Sequence, residues 1–214
     1  IAAMPAIPSE LLTTRQQVDA LAETLGSQKL VAVDTESNSL HAYREQVCLI
    51  QFTAADKDYL VDPLAVPDLS ALGPIFSDPH IEKIFHAAEY DLIVLQRDFG
   101  FEFAKLFDTM VAARILGRKR VGLGNMLEAE FDVKLDYARL DTHYLIRLRN
   151  KLKDELMASG RWPIAEEDFA RMPQIIPQQS AEPDGDIWRV KGVWDLNRRQ
   201  SAILAELVAY RQQQ

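Results

Sequence analysis

Three apolar strand candidates, KLVAVDTE, QVCLIQFTA and DYLVDP, follow one another between residues 29 and 63. A parallel pair needs a crossover of a dozen or more residues, usually a helix, and the gaps here are shorter. The three strands should therefore pair antiparallel. Downstream the pattern changes. DLSALGPIF reads as a short helix, KIFHAA as a fourth strand and EYDLIVLQRDFG as a helix ending near Gly100. KLFDT then reads as a short strand and MVAARILG as a helix stopped at Gly117. Antiparallel strands followed by alternating strand and helix predict an α/β domain, a mixed sheet with helices packed on its faces.

Helical signals flank this core. In TTRQQVDALAETLG, Val18, Leu21, Ala22 and Leu25 form a stripe, Thr14 and Gln17 have the spacing of a capping box, and Gly26 suits the C-terminal end. GNMLEAEFDV predicts another helix. YARLDTHYLIRLRNKLKDELMASG predicts a long one, with Leu140, Tyr144, Leu145, Leu148, Leu152 and Leu156 on one side and Gly160 at its end. After Gly160 the text turns rich in Pro, Gln and acids and reads as a linker. LNRRQSAILAELVAYRQQQ is helical again, with Asn197 as N-cap and Ile203, Leu204 and Leu207 on a face that needs a partner. The expected organisation is a domain over residues 1–160, a linker over 161–192 and a helix over 193–214.

The first strand carries an electrostatic problem. Leu30 to Val33 is a buried run, yet it leads directly into Asp34 and Glu36. Residues i and i+2 of a strand share a face, and two unit charges about 4 Å apart repel by roughly 4 kcal/mol at an effective dielectric near 20. Either something positive sits between these carboxylates or water solvates them. Two further acids sit oddly. Asp91 falls in the first turn of its helix, where it could equally complement the helix dipole. Asp141 falls inside the long predicted helix, one turn after Tyr137; taken alone, Asp141 reads as surface and Tyr137 as core.

Charge and composition narrow the classes. The net charge of −8 argues against a passive DNA-coating protein but not against an enzyme whose acids hold metal ions. At 48% hydrophobic and 26% charged, the chain can bury a sizeable core. No apolar run approaches the length of a membrane span, and no signal peptide opens the chain. The single cysteine, Cys48, excludes an internal disulfide and suits a reducing cytoplasm.

Taken together, VDTES, HAAEYDLIVL and YARLDTHYL resemble the three exonuclease motifs of the DEDD superfamily of 3′–5′ exonucleases, and most closely ribonuclease D. CLIQFT after the first motif and LFDTMVAARILG after the second agree, and the resemblance runs from about Leu12 to Gly160. IWRVKGVWDLNRRQSAILAELVAYR resembles the lead-in to the HRDC helical domain of that family. The resemblance implies a ribonuclease H-like fold and a monomeric, cytoplasmic exoribonuclease. It would trim 3′ tails of structured RNAs such as tRNA precursors and release nucleoside 5′-monophosphates. It further implies that Asp34, Glu36, Asp91 and Asp141 hold two divalent cations, Mg²⁺ or Mn²⁺, and that Tyr137 orients the attacking water. Tyr137 marks the tyrosine branch, since the position that would be histidine in the other branch is Asp136. A DNA-directed exonuclease and a catalytically silent binding protein are the alternatives.

Contacts to nucleic acid are less sharply drawn. Thr35, His86 and the basic cluster Arg118, Lys119 and Arg120 are candidates. His86 reads as readily as a satisfied core histidine, the cluster as a solvated loop, and Gln51 as a residue bonded to neighbouring backbone. In the family a sizeable basic and aromatic segment precedes the third motif. Here FDVKLDYARLD joins the two helices almost directly, which predicts an interruption of the chain between Lys134 and Tyr137, beside Asp136.

Overall fold

The computed structural model describes residues 9–38, 45–133, 141–175, 187 and 190–212. Contacts divide the chain into two units, Ile1–Ile176 and Pro177–Gln214.

The first unit is built on a six-stranded sheet. Its strands are β1 (Ser9–Leu12), β2 (Leu30–Ser37), β3 (Val47–Ala54), β4 (Lys57–Val61), β5 (Glu82–Phe85) and β6 (Leu106–Asp108), in the spatial order β1-β4-β3-β2-β5-β6. β2, β3 and β4 pair antiparallel as expected, and β5 and β6 extend the sheet in parallel from β2. β3 and β4 are joined by Ala55 and Asp56, both at positive φ (50° and 60°), the backbone a two-residue hairpin needs to match strand twist. β1 is an element the sequence reading did not anticipate. It pairs parallel with β4, and in so short a strand only Leu12 turns inward.

Helices α1 (Arg15–Gly26), α2 (Gly73–Ser77), α3 (Glu89–Phe99), α4 (Thr109–Ile115), α5 (Leu123–Phe131), α6 (Leu145–Ala158) and α7 (Trp162–Ile175) complete the unit. α1 has the capping box anticipated at Thr14 and Gln17. α6 buries Leu145, Leu148, Leu152 and Leu156, the i, i+3, i+7, i+11 stripe of its sequence. Two aromatic clusters anchor the layers. Phe76 lies against Phe52, Phe101 and Phe103, while Phe107 of β6 lies against Trp162 and Phe169 of α7.

That second cluster corrects the expected linker. Residues 162–175 form a helix with Ala165, Phe169 and Met172 buried. Its prolines, glutamine and acids look like linker text, yet its apolar residues recur at helical spacing, and burial outweighs composition. Two further boundaries shift. The fourth strand stops at Phe85, before His86, because Ala87 takes a positive φ of 63°. The long helix starts only at Leu145, so Asp141 lies in a turn of residues 141–144 rather than within a helix. Tyr137 and the expected interruption beside it lie outside the described residues.

In the second unit, α8 (Arg198–Gln212) follows a 3-10 turn at Val193–Asp195. Asn197 caps it: Gln200 N donates to Asn197 Oδ1 at 3.1 Å, and Asn197 N to Gln200 Oε1 at 2.9 Å. Among the described residues no helix is long and apolar enough to cross a membrane.

Candidate active site

Asp34 and Glu36 sit two residues apart on β2 and so share a face. Asp34 is opposite Gln51 in the β2–β3 pair, and Gln51 Nε2 donates to Asp34 Oδ2 at 3.2 Å. Gln51 is 1% exposed. It therefore serves a carboxylate rather than backbone, contrary to the expectation. An amide within an apolar strand, facing an acid, was the available signal.

Pairing of β2 with β5 ends at Ala32, which leaves the edge of β2 open beyond that point. Asp91, in the first turn of α3, closes it. Its Oδ1 accepts the Thr35 N–H at 3.0 Å and the Thr35 hydroxyl at 2.6 Å. A carboxylate thus stands where a neighbouring strand would have offered a carbonyl, and this brings Asp91, 6% exposed, next to the two acids of β2.

Asp141 comes from the turn ahead of α6. Carboxylate oxygens of Asp34, Glu36 and Asp141 all lie within 4.8 Å of one another. The cost of assembling them shows in their protonation. Burial pushes the Asp34 carboxyl up to about 8, with repulsion from Asp91, Asp141 and Glu36 adding to it. Burial raises Asp91 to about 7 even though both Thr35 hydrogen bonds favour its ionised form. Burial and then Glu36 raise Asp141 to about 6. Among the described residues no lysine or arginine forms an ion pair with any of the four.

The donor set fits a hard divalent cation. Three carboxylate oxygens within 4.8 Å of one another are near enough to share one cation of the kind that takes oxygen ligands. The group offers carboxylates only, without sulfur or imidazole, which suits Mg²⁺ or Mn²⁺ over softer metals.

A family model described as 3′–5′ exonuclease matches residues 9–137, more than half of the chain. The chain belongs to this DEDD family of 3′–5′ exonucleases. Its members use divalent metal ions, in keeping with the carboxylate cluster. Ribonuclease D of Escherichia coli (strain K12) is 33% identical over 223 residues, which are 94% of this chain and 59% of that protein. The crystal structure of E. coli RNase D, described as an exoribonuclease involved in structured RNA processing, superposes with a TM-score of 0.75 at 30% identity. It matches over 96% of this chain and 60% of that one. The catalytic core of RRP6 from Trypanosoma brucei gives a TM-score of 0.76 at 27% identity, over 80% of this chain and 54% of that one. Brucella melitensis NrnC with bound Mg²⁺ gives 0.65 at 26%, over 78% and 88%. The chain spans about three fifths or less of the length of the curated relatives it matches.

Within the exonuclease domain, the turn that delivers Asp91 is fastened by Asp108, which the sequence reading did not single out. Asp108 Oδ1 accepts the N–H groups of Ala87 (3.1 Å), Met110 (2.7 Å) and Val111 (3.1 Å), and Oδ2 that of Ala88 (2.8 Å). One carboxylate thus caps α4 and holds the strained link from β5 to α3.

The candidate nucleic-acid contacts fare unevenly in the exonuclease domain. Thr35 commits its hydroxyl to Asp91. His86 Nδ1 lies 2.8 Å from Thr109 Oγ1, whose own proton goes to the Phe85 carbonyl at 3.0 Å, so the ring donates from Nδ1. Burial lowers its pKa from the ordinary value; Asp108 partly offsets this and Arg114 reinforces it. His86 is a satisfied histidine. Arg118 Nη2 reaches Glu155 (2.8 and 3.0 Å) and Glu130 (3.0 Å), tying α5 to α6 rather than facing a phosphate. Lys119 and Arg120 are exposed beside it.

Proposed function

We propose that the chain is the catalytic domain of a metal-dependent 3′–5′ exoribonuclease that trims the 3′ ends of structured RNA such as tRNA precursors and releases nucleoside 5′-monophosphates. The observation that carries this reading is the convergence of Asp34, Glu36 and Asp141 within 4.8 Å, with Asp91 alongside, in a chain of this family. RNA as the substrate draws support from E. coli RNase D, described as an exoribonuclease involved in structured RNA processing. Mg²⁺ draws support from the all-oxygen donor set and from the Mg²⁺ bound by NrnC of B. melitensis.

Asp34, Glu36, Asp91 and Asp141 would hold the cations in this reading. Bound there, a metal pair supplies an attacking water acidified to near neutral pH and positive charge for the departing oxygen. Gln51 keeps Asp34 aimed into the site, Thr35 and Asp108 keep Asp91 in place, and the Tyr137 hydroxyl orients the attacking water. The second unit, with α8, is the lead-in to a helical domain of the HRDC kind.

The deciding experiment offers 5′-labelled RNA and DNA oligonucleotides of matched sequence to the protein in Mg²⁺ or EDTA. The expected result is stepwise shortening of RNA from its 3′ end, with nucleoside 5′-monophosphate released and no reaction in EDTA. Faster digestion of DNA would reassign the substrate, and no digestion of either in Mg²⁺ or Mn²⁺ would overturn the reading.

A further inference from the structure

Asp141 presents a problem of rigidity. It sits in the turn of residues 141–144, ahead of the first residue of α6. A ligand within a helix is held by the i→i−4 ladder on both sides. Among the described residues the main-chain bonds that involve the turn are Leu145 N to Thr142 O (3.0 Å) and Leu148 N to Tyr144 O (2.9 Å), and both fix the turn to the helix after it. Neither ties the turn to the sheet that carries Asp34 and Glu36.

Side chains from the β3–β4 hairpin make that tie. Thr53 Oγ1 of β3 lies 2.7 Å from Thr142 Oγ1 and 2.6 Å from Asp58 Oδ1 of β4. Thr53 is the donor toward both oxygens, its one proton lying between the Asp58 carboxylate and the Thr142 hydroxyl. His143 Nδ1 lies 3.0 Å from Asp58 Oδ2 and 3.2 Å from Oδ1. The carboxylate only accepts, so Nδ1 carries the proton. Asp58 is 3% exposed and Thr142 1%. Among the described residues no lysine or arginine pairs with Asp58, so this buried carboxylate relies on Thr53 and on the turn. A buried charge so dependent resists any displacement of its partners.

We infer that Thr53, Asp58, Thr142 and His143 form a latch that positions Asp141 against Asp34 and Glu36, making His143 a positioning residue for metal binding. The inference rests on the metal-site reading above and adds the device that holds one of its ligands. Both neighbours following Asp141 are held by one hairpin, and that hairpin also supplies Gln51, the partner of Asp34. A single rigid element therefore sets the spacing between acids drawn from β2 and from the turn, which lie more than 100 residues apart in sequence.

The test measures Mn²⁺ affinity by calorimetry on metal-stripped protein, together with the melting temperature in EDTA. His143→Ala should weaken Mn²⁺ binding by roughly tenfold or more, the range seen when groups behind metal ligands are removed. His143→Asn should restore most of the affinity, because the Asn amide nitrogen reaches the place of Nδ1. His143→Gln, which mimics the other ring nitrogen, should not. Thr142→Val, which loses only the hydroxyl, should shift affinity in the same direction by less. Unaltered affinity in both His143→Ala and Thr142→Val would overturn the latch, as would equal losses in the Asn and Gln variants or failure of both His143→Ala and Thr142→Val to fold. Absence of Mn²⁺ binding by the unaltered protein would instead overturn the metal-site reading, and the latch with it.

Discussion

Asp91 accepts both the backbone N–H and the hydroxyl of Thr35, the residue between Asp34 and Glu36, at 3.0 and 2.6 Å. One oxygen of a candidate metal ligand is thereby committed to the strand that carries two others. Asp91→Asn keeps an acceptor for Thr35 but removes a buried negative charge whose carboxyl is raised to about 7. At pH 8 in EDTA the variant should melt at a higher temperature than the unaltered protein, while oligonucleotide hydrolysis is lost. A lower melting temperature would show that the charge itself holds the fold together.

The raised carboxyls give stability a pH slope of known sign. In the folded chain Asp141, Asp91 and Asp34 titrate near 6, 7 and 8, against about 3.9 unfolded. Between these limits the folded state binds more protons, so stability falls as pH rises. The contribution is fully present below the unfolded value and is lost progressively from about pH 4 to about 8. Metal replaces protons at the same oxygens, so stabilisation by Mg²⁺ or Mn²⁺ should grow over the same window. It should reach roughly 2.7 kcal/mol at a hundred times the dissociation constant. Thermal melts from pH 5 to 9, with EDTA and with Mn²⁺, check both slopes; parallel curves would exclude metal at these acids.

Asp108 accepts four main-chain N–H groups and is 2% exposed. Asp108→Ala removes the cap of α4 and leaves buried donors unpaired, at about 1–3 kcal/mol for each unpaired group. The expected loss is at least about 2 kcal/mol in denaturant unfolding, with a fall in hydrolysis because α3 no longer holds Asp91 firmly. Asp108→Asn keeps acceptor oxygen on one side only and should be intermediate. Stability unchanged in the alanine variant would contradict this account.

The basic cluster divides in its surroundings, with Arg118 paired and Lys119 and Arg120 exposed. Arg118→Ala breaks the tie to Glu130 and Glu155 and should lower the melting temperature while leaving KM for RNA unaltered. The double variant Lys119→Ala with Arg120→Ala should leave the melting temperature unaltered. If these side chains meet phosphates, it should raise KM and flatten the dependence of log KM on log salt by roughly one to two units. The same salt slope in both proteins would remove the loop from the substrate path.

Local text carried a good part of this protein. The capping box of Thr14 and Gln17, the cap at Asn197, the antiparallel order of β2, β3 and β4 and the entry of a buried strand into Asp34 and Glu36 were all legible, because each depends on residues a few positions apart. Tertiary structure decided the rest. β5 stops short, so Asp91 meets Thr35 at a distance of 56 residues. Thr142 and His143 meet a hairpin more than 80 residues upstream, which places Asp141 in a held turn where helical periodicity had put a helix. α7 hides in text that looks like a linker because Phe107 offers it an aromatic surface, and Arg118 is drawn from solvent by two glutamates on other helices. Periodicity and caps record what a segment prefers by itself. Which buried carboxylate finds which donor is settled only when distant segments pack, since the desolvation of each polar group must be offset by whichever partner the fold brings within reach.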